Sequence, residues 1–129
     1  MIAYKVVYAI NLERKIFKSV LIDNACSLIY VIGKTTYPMI PGSKIYLYKT
    51  LKDAKKFAES PFDKDKDYYI LKGIAKGNTL KGNTMIFDCR NEKIVTLFWK
   101  DPVNFIAADQ TPEGTICSES FLPEKVISF

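Results

Sequence analysis

The chain has 129 residues, of which 48% are apolar and 26% charged, and it carries a formal net charge of +5 with a pI near 9.0. This length supports one domain, residues 1–129, and 8 Phe, 8 Tyr and 1 Trp exclude a disordered chain. Because histidine is absent, Ser-His-Asp triads, Cys-His nucleophiles and typical catalytic zinc sites are excluded.

The cysteines and the N-terminal residues predict in which compartment of the cell the protein lies. Cys26, Cys89 and Cys117 are widely spaced and form no CxxC pair, which predicts reduced thiols and argues against a zinc knuckle. Residues 1–10 lack the pattern of a secretory signal, and the apolar run at residues 28–32 is too short to span a bilayer. We therefore expect a soluble cytoplasmic protein without a metal ion, a cofactor or a membrane partner.

The first part of the chain predicts strands followed by a loop. Three segments rich in aromatic and β-branched residues predict strands: residues 2–10, 15–22 and 27–32. A short polar connection between the first two predicts a hairpin. The third is expected to end at Gly33, and Pro38, Pro41 and Gly42 predict a loop over residues 35–42.

Residues 43–77 predict a strand–helix–strand unit, which determines the expected architecture. The alternation of residues 43–50 changes to a helical period at about residues 50–60. Thr50 fits the helix N-cap, with Asp53 completing a capping box, and Pro61 stops the helix. One helix face is expected to pack on the sheet through Leu51, Ala54, Phe57 and Ala58. The second strand is expected to lie before Gly77.

A tandem repeat follows, KGNTL at residues 76–80 and KGNTM at residues 81–85. Gly-Asn dipeptides favour positive φ, so the repeat predicts tight turns between strands. The alternative is a backbone nest whose flanking lysines bind an anion such as phosphate. The spacing differs from that of a P-loop.

The C-terminal part predicts further strands. Residues 85–89 and 94–100 predict a hairpin, residues 104–112 a loop, and residues 115–121 a last strand, after which the tail packs back. The predicted fold class is α+β. We expect a single β-rich domain with a mostly antiparallel sheet of about seven to eight strands and one principal helix at about residues 50–60.

The order of these features resembles that of small uncharacterised proteins of phages and other mobile elements. The matching residues are Tyr4-Lys5-Val6-Val7, Tyr30 and Gly33 with Lys34, Ala54 with Phe57-Ala58, Ile70 with Gly73, Phe98-Trp99, Gly114-Thr115 and Pro123. The resemblance spans most of the chain. It implies a viral or mobile-element origin and no assigned activity.

More distantly, the chain is similar to the split β-fold of ADP-ribosyltransferases. The arginine-type enzymes carry an Arg on the first strand, a Ser-Thr-Ser on a middle strand and a late Glu-x-Glu. This chain has Lys5, residues 46–48 and Glu119 in the comparable places, and it lacks the His of the histidine-type enzymes. The resemblance therefore implies a fold without the catalytic set that retains at most a nucleotide-sized cleft.

These observations favour a non-catalytic binding protein over an enzyme, and no catalytic residue is assigned. We expect a viral or mobile-element accessory protein of the host cytoplasm that binds a host or viral protein or a small nucleotide. Exposed tyrosines would suit such an interface: Tyr37, Tyr46, Tyr48, Tyr68 and Tyr69. The candidate ligand-binding residues are Lys34, Tyr46, Tyr48, Lys76, Asn78, Lys81, Asn83 and Glu119.

Two alternatives remain open. The first is a nucleic-acid-binding protein that uses scattered lysines and tyrosines, although Arg14 and Arg90 are the only arginines available for bidentate phosphate contacts. The second is a degenerate ADP-ribosyltransferase-like enzyme. More generally, an enzyme that uses carboxylates would take its general acid from Asp88, Glu92 or Glu119, and it would need a buried site to raise the pKa of that group.

Overall fold

The structure, a computed structural model, has the predicted β-rich α+β class. It describes residues 1–19, 28–39, 42–59, 67–77, 80–81, 84–85, 92–100, 109–110 and 114–127. The strands within these ranges are β1 (Ile2–Asn11), β2 (Ile16–Ser19), β3 (Ile29–Val31), β4 (Ile45–Tyr48), β5 (Tyr68–Lys76), β6 (Leu80–Lys81), β7 (Thr84–Met85), β8 (Asp109–Gln110), β9 (Thr115–Ser118) and β10 (Ser120–Ile127). The helices are α1 (Leu51–Ala58) and α2 (Glu92–Lys100).

Strand β1 lies at the centre of an eight-stranded antiparallel sheet. One edge of β1 pairs with β5 along most of its length, from Ile2 opposite Ile74 to Tyr8 opposite Tyr68. The other edge is divided, because Tyr4 pairs with β4 and the residues from Val7 onward pair with β2. The β1–β2 pairing confirms the predicted hairpin.

The sheet curls until part of it closes on itself. Residues 33–36 turn back from β3 and run beside β10, where the Gly33 N–H donates to the Pro123 carbonyl over 2.8 Å. Thr36 and Phe121 exchange two backbone hydrogen bonds of 2.8 and 3.0 Å. A ring of hydrogen-bonded strands thus runs through β1, β2, β3, residues 33–36, β10 and β5. The loop predicted over residues 35–42 is therefore wrong at Thr36, which is part of this ring.

The interior of the ring holds the larger of two apolar clusters. Ala3 and Val7 alternate along β1 and point inward, as period two requires. The ring core consists of these residues with Phe17, Leu28, Tyr30, Ile45, Leu47, Leu71, Ala75, Ile116 and Phe121. Each fully buried large side chain contributes about 1.5–3 kcal/mol relative to exposure, so this cluster is the main source of stability.

Strands β9 and β10 are one run of chain that changes partners at a corner. β9 pairs with β4 and β6, and after Glu119 the chain continues as β10 and pairs with β5. The Ser118 hydroxyl donates to the Lys76 carbonyl at 2.7 Å, with the Ser120 carbonyl at 3.0 Å. The strand predicted over residues 115–121 is confirmed on both sides of Glu119, which divides it into β9 and β10. The tail continues β10 as far as Ile127, and Val126 and Ile127 pack against the two apolar clusters as predicted.

Helix α1 follows the sequence prediction closely. The Asp53 N–H donates to Thr50 Oγ1 over 3.2 Å, and the Thr50 hydroxyl donates to the Asp53 carboxylate over 2.7 Å. These two bonds satisfy donors that the first helical turn leaves open. The predicted apolar face packs on the outer side of the sheet and forms the helix-side core: Val6, Tyr48, Ala54, Ala58 and Ile70, with Leu51 and Phe57 beside them.

The strand predicted over residues 94–100 is wrong, because these residues belong to α2. Phe98 is fully buried whereas its neighbour Leu97 is 57% exposed. If this segment is read as a strand, apolar residues fall on both of its faces. The sequence pattern therefore does not make it evident that Ile94 and Phe98 have the four-residue spacing of one helix face. Of the partner strand predicted over residues 85–89, the structure describes Met85, which pairs with Asp109 of β8, and residues 86–89 lie outside the described ranges. Within the described ranges, neither helix combines the length and the apolar character needed to cross a membrane.

The Tyr30 side chain is fully buried in the ring core. Among the described residues, its hydroxyl has no hydrogen-bond partner at bonding distance and angle. Its ring meets that of Phe121 edge-on at 6.1 Å. The nearby Ser19 hydroxyl is already engaged, since it accepts from the Leu28 N–H (3.1 Å) and donates to the Leu28 carbonyl (3.4 Å). Burial raises the pKa of the Tyr30 phenol, and Ser19 offsets this only in part.

We expect Tyr30→Phe to leave the free energy of unfolding unchanged or to raise it by about 1 kcal/mol, because burying a hydroxyl without a partner is costly. Urea unfolding measures the change, with Phe17→Leu as a control that removes buried ring atoms of the same core and must destabilise. A loss above about 1 kcal/mol in Tyr30→Phe would show that the hydroxyl makes a hydrogen bond that stabilises the fold.

Candidate functional site

The corner between β9 and β10 places a carboxylate over the end of β5. The Glu119 carboxylate lies 3.7 Å from the Lys44 ammonium, and the two side chains are 52% and 13% exposed respectively. Gly77 lies directly under the Glu119 side chain, where a Cβ atom would overlap it. Gly77 also has φ +93°, which other residues rarely adopt. Glu119, a candidate acid from the sequence, is therefore an exposed, lysine-paired carboxylate.

The KGNT repeat connects strands. Lys76 is the last residue of β5 and Lys81 the last residue of β6, and a Gly-Asn dipeptide follows each of them. The positive φ that the turn interpretation predicts is present at Gly77. Asn78 and Asn83 lie outside the described residues, as do Asp88 and the proline predicted to stop α1.

Tyr46 packs against α2. Its ring centroid lies 5.5 Å from that of Trp99, which in turn meets the buried Phe98 ring edge-on at 5.0 Å. Tyr46 is also directly opposite Cys117 in the β4–β9 ladder. Trp99, which the sequence placed at the end of a strand, therefore anchors a helix against this part of the sheet.

Tyr48 and Lys34 lie apart from the corner. Tyr48 is buried under α1, with its ring 5.7 Å from that of Phe57, and burial with the nearby Asp53 carboxylate raises its pKa. Lys34 is exposed in the turn after β3, on the side of β10 opposite β5. The structure thus brings Glu119 close to Lys44 and to the end of β5, whereas Tyr48 serves helix packing.

Lys5 is a functional candidate that the sequence pattern does not single out, because locally it is one lysine within the first predicted strand. It lies between Ala3 and Val7 on β1, so its side chain projects to the ring core. The Lys5 ammonium donates to the Tyr46 carbonyl over 2.7 Å. It thereby connects β1 to β4 beyond the Tyr4–Tyr48 pair. A charged residue at a core-facing position of an apolar strand was the available sequence signal.

Burial controls the protonation of Lys5 and Cys117. Part of Lys5 reaches the surface, but its ammonium is surrounded by protein, and this burial lowers its pKa to about 8, with Cys117 offsetting part of the shift. Burial raises the pKa of the Cys117 thiol to about 12, although Lys44 and Lys5 oppose the change. Cys117 is therefore a protonated thiol at neutral pH and a poor nucleophile.

The donor set of the described residues does not form a metal site. In these ranges no group of three or more His, Cys, Asp or Glu side chains is placed to hold a metal ion.

Comparisons with known proteins find no matching family model, curated protein or solved structure. The interpretation of this region therefore rests on its own geometry.

The bridge at Lys5 predicts a definite pH dependence. Because the folded pKa of Lys5, about 8, lies below its ordinary value of 10.5, the unfolded chain binds more protons between these values. We therefore expect the free energy of unfolding of the wild type, relative to that of Lys5→Met, to rise as the pH increases from about 8 to 10.5. The opposite effect of Cys117 titration is present in both proteins and largely cancels.

Chemical denaturation at a series of pH values measures this difference. Lys5→Arg is the control, since its guanidinium stays charged and its stability relative to Lys5→Met should change little over the same range. If the difference between wild type and Lys5→Met were flat or fell with pH, the Lys5 ammonium would not be desolvated.

Proposed function

We propose that the protein is a non-catalytic binding protein, an accessory protein of a virus or mobile element that acts in the host cytoplasm by binding a host protein. The observation that carries the proposal is the state of its reactive side chains. Lys5 is held by a backbone carbonyl, Cys117 is a buried neutral thiol, and Glu119 is exposed and paired with Lys44.

Side chains in these states are poorly suited to act as a nucleophile or a general acid. A nucleophile needs a lowered pKa or an adjacent base, and a general acid of the carboxyl type needs burial. Burial shifts the pKa of Cys117 away from the reactive form, and the exposed Glu119 is not desolvated. These features favour binding over the degenerate ADP-ribosyltransferase-like activity.

The exposed apolar residues favour a protein partner over a small nucleotide. Tyr37 and Met39 are 66% and 72% exposed, and the Thr36 hydroxyl donates to the Ile29 carbonyl, which holds their segment beside the exposed Ile29. Large apolar side chains exposed together are typical of protein interfaces. Of the tyrosines proposed for an interface, Tyr37 is the exposed one, whereas Tyr69 packs on Phe17 at 5.8 Å.

The proposal is tested by co-purification with the tagged protein followed by mass spectrometry of bound proteins and nucleotides. We expect a specific protein that is retained by the wild type and lost with Tyr37→Ala/Met39→Ala. Leu97→Ala on α2 is the matched control, because it removes an equally exposed apolar side chain elsewhere and should keep the partner.

Two results would count against the proposal. Equal retention by the double variant and the control would remove this surface from the interface. Detection of transferred ADP-ribose on any protein incubated with the purified chain and NAD would support the enzyme alternative instead.

A further inference from the structure

The outer face of β1, β5 and β10 carries a row of polar side chains that cross-strand pairing places side by side. Lys72 on β5 lies directly opposite Tyr4 on β1 and directly opposite Lys125 on β10. Directly opposite residues of antiparallel strands share a face and have Cβ atoms about 5 Å apart. Val6 and Ile70 on this face pack under α1, which shows that the row lies on the outer side of the sheet.

Beyond this row the face is not covered by α1. Two residues further along β5, Ile74 lies opposite Ile2 on one side and Leu122 on the other, and the Ile2 side chain is exposed. Lys76 follows, exposed and about 13 Å from Lys72 along the strand at 3.3 Å per residue. The strip thus consists of a lysine pair, an apolar row and another lysine.

Among the described residues, the lysines of this strip are not paired with carboxylates. Neither Lys72, Lys76 nor Lys125 forms an ion pair with a carboxylate in the part of the chain that the structure describes. Glu124, the residue at the bulge of β10, is the adjacent carboxylate in sequence and is also exposed. Like charges directly opposite each other in a ladder are destabilising, so an anion bound between Lys72 and Lys125 would relieve a repulsion that folding creates.

We propose that this outer face of β1, β5 and β10 binds single-stranded nucleic acid. Phosphates contact Lys72, Lys125 and Lys76, while bases lie over the apolar row and the edge of Tyr4. Lysines on both sides of an apolar row suit a ligand that carries phosphates beside flat base faces, whereas an acidic homopolymer such as polyglutamate offers carboxylates without such faces. The surface differs from the one proposed for a protein partner, so the inference goes beyond that function.

Fluorescence anisotropy with a labelled oligothymidine of about 12 nucleotides tests the proposal, since single-strand sites span roughly 4–16 nucleotides. Three phosphate contacts predict a slope of about −2 for log K against log salt between about 50 and 200 mM. Lys72→Gln/Lys125→Gln should reduce this slope to about −0.7 and weaken binding at least about tenfold at the lower salt concentration.

Lys15→Gln/Lys52→Gln is the charge-matched control, because both residues are exposed and lie outside the strip. It should bind nearly as well as the wild type. Equal weakening by both double variants, no binding by the wild type, or equal competition by polyglutamate would overturn the proposal. Binding to phosphatidylserine vesicles but not to the oligonucleotide would assign the face to a membrane surface and overturn it as well. In the co-purification assay, Lys72→Gln/Lys125→Gln should still retain the protein partner. That result would distinguish a loss of nucleic-acid binding from a loss of the proposed protein binding.

Discussion

The division of one edge of β1 between two partners is the constraint around which the rest of the sheet is arranged. β4 takes the edge at Tyr4, and β2 takes it from Val7 onward. Within the described residues, no strand pairing is seen on this edge between these points, and Lys5 donates from β1 to the Tyr46 carbonyl of β4. An ammonium group with a long stem can reach a carbonyl that the β1 backbone cannot. The desolvation of that ammonium is the energetic cost of the arrangement.

The corner at Glu119 is the counterpart of this division. β9 pairs with β4 on one side of β1, and the same run of chain continues as β10, which pairs with β5 on the other side. Ser118 holds the corner to the end of β5 through the Lys76 carbonyl. Gly77 makes room for Glu119 above it. Of the candidate ligand-binding residues, Lys76 and Glu119 therefore take part in forming this corner.

Local interactions were predictable from the sequence, and pairings between distant residues were not. Thr50 and Asp53 cap α1 as expected, because their bonds span three residues and depend on nothing else. The helical character of α2 is hidden in the sequence because the local pattern does not show which of its apolar residues is buried, as Phe98 is, and Trp99 packs on Tyr46, which is more than 50 residues away in the chain. Lys5 was missed for the same reason, since its partner is 41 residues away.

The same distinction separates the two surfaces proposed for binding. The exposed Tyr37 and Met39 are close in sequence, so a sequence pattern could nominate them directly. The lysine row becomes visible only through register, because Tyr4, Lys72 and Lys125 come from three strands spread over the chain. In the sequence these lysines look like any scattered solvated charge. Antiparallel pairing gives them a common face, and α1 packs on the neighbouring rows around Val6 and Ile70, with Tyr4 at the edge of that packing.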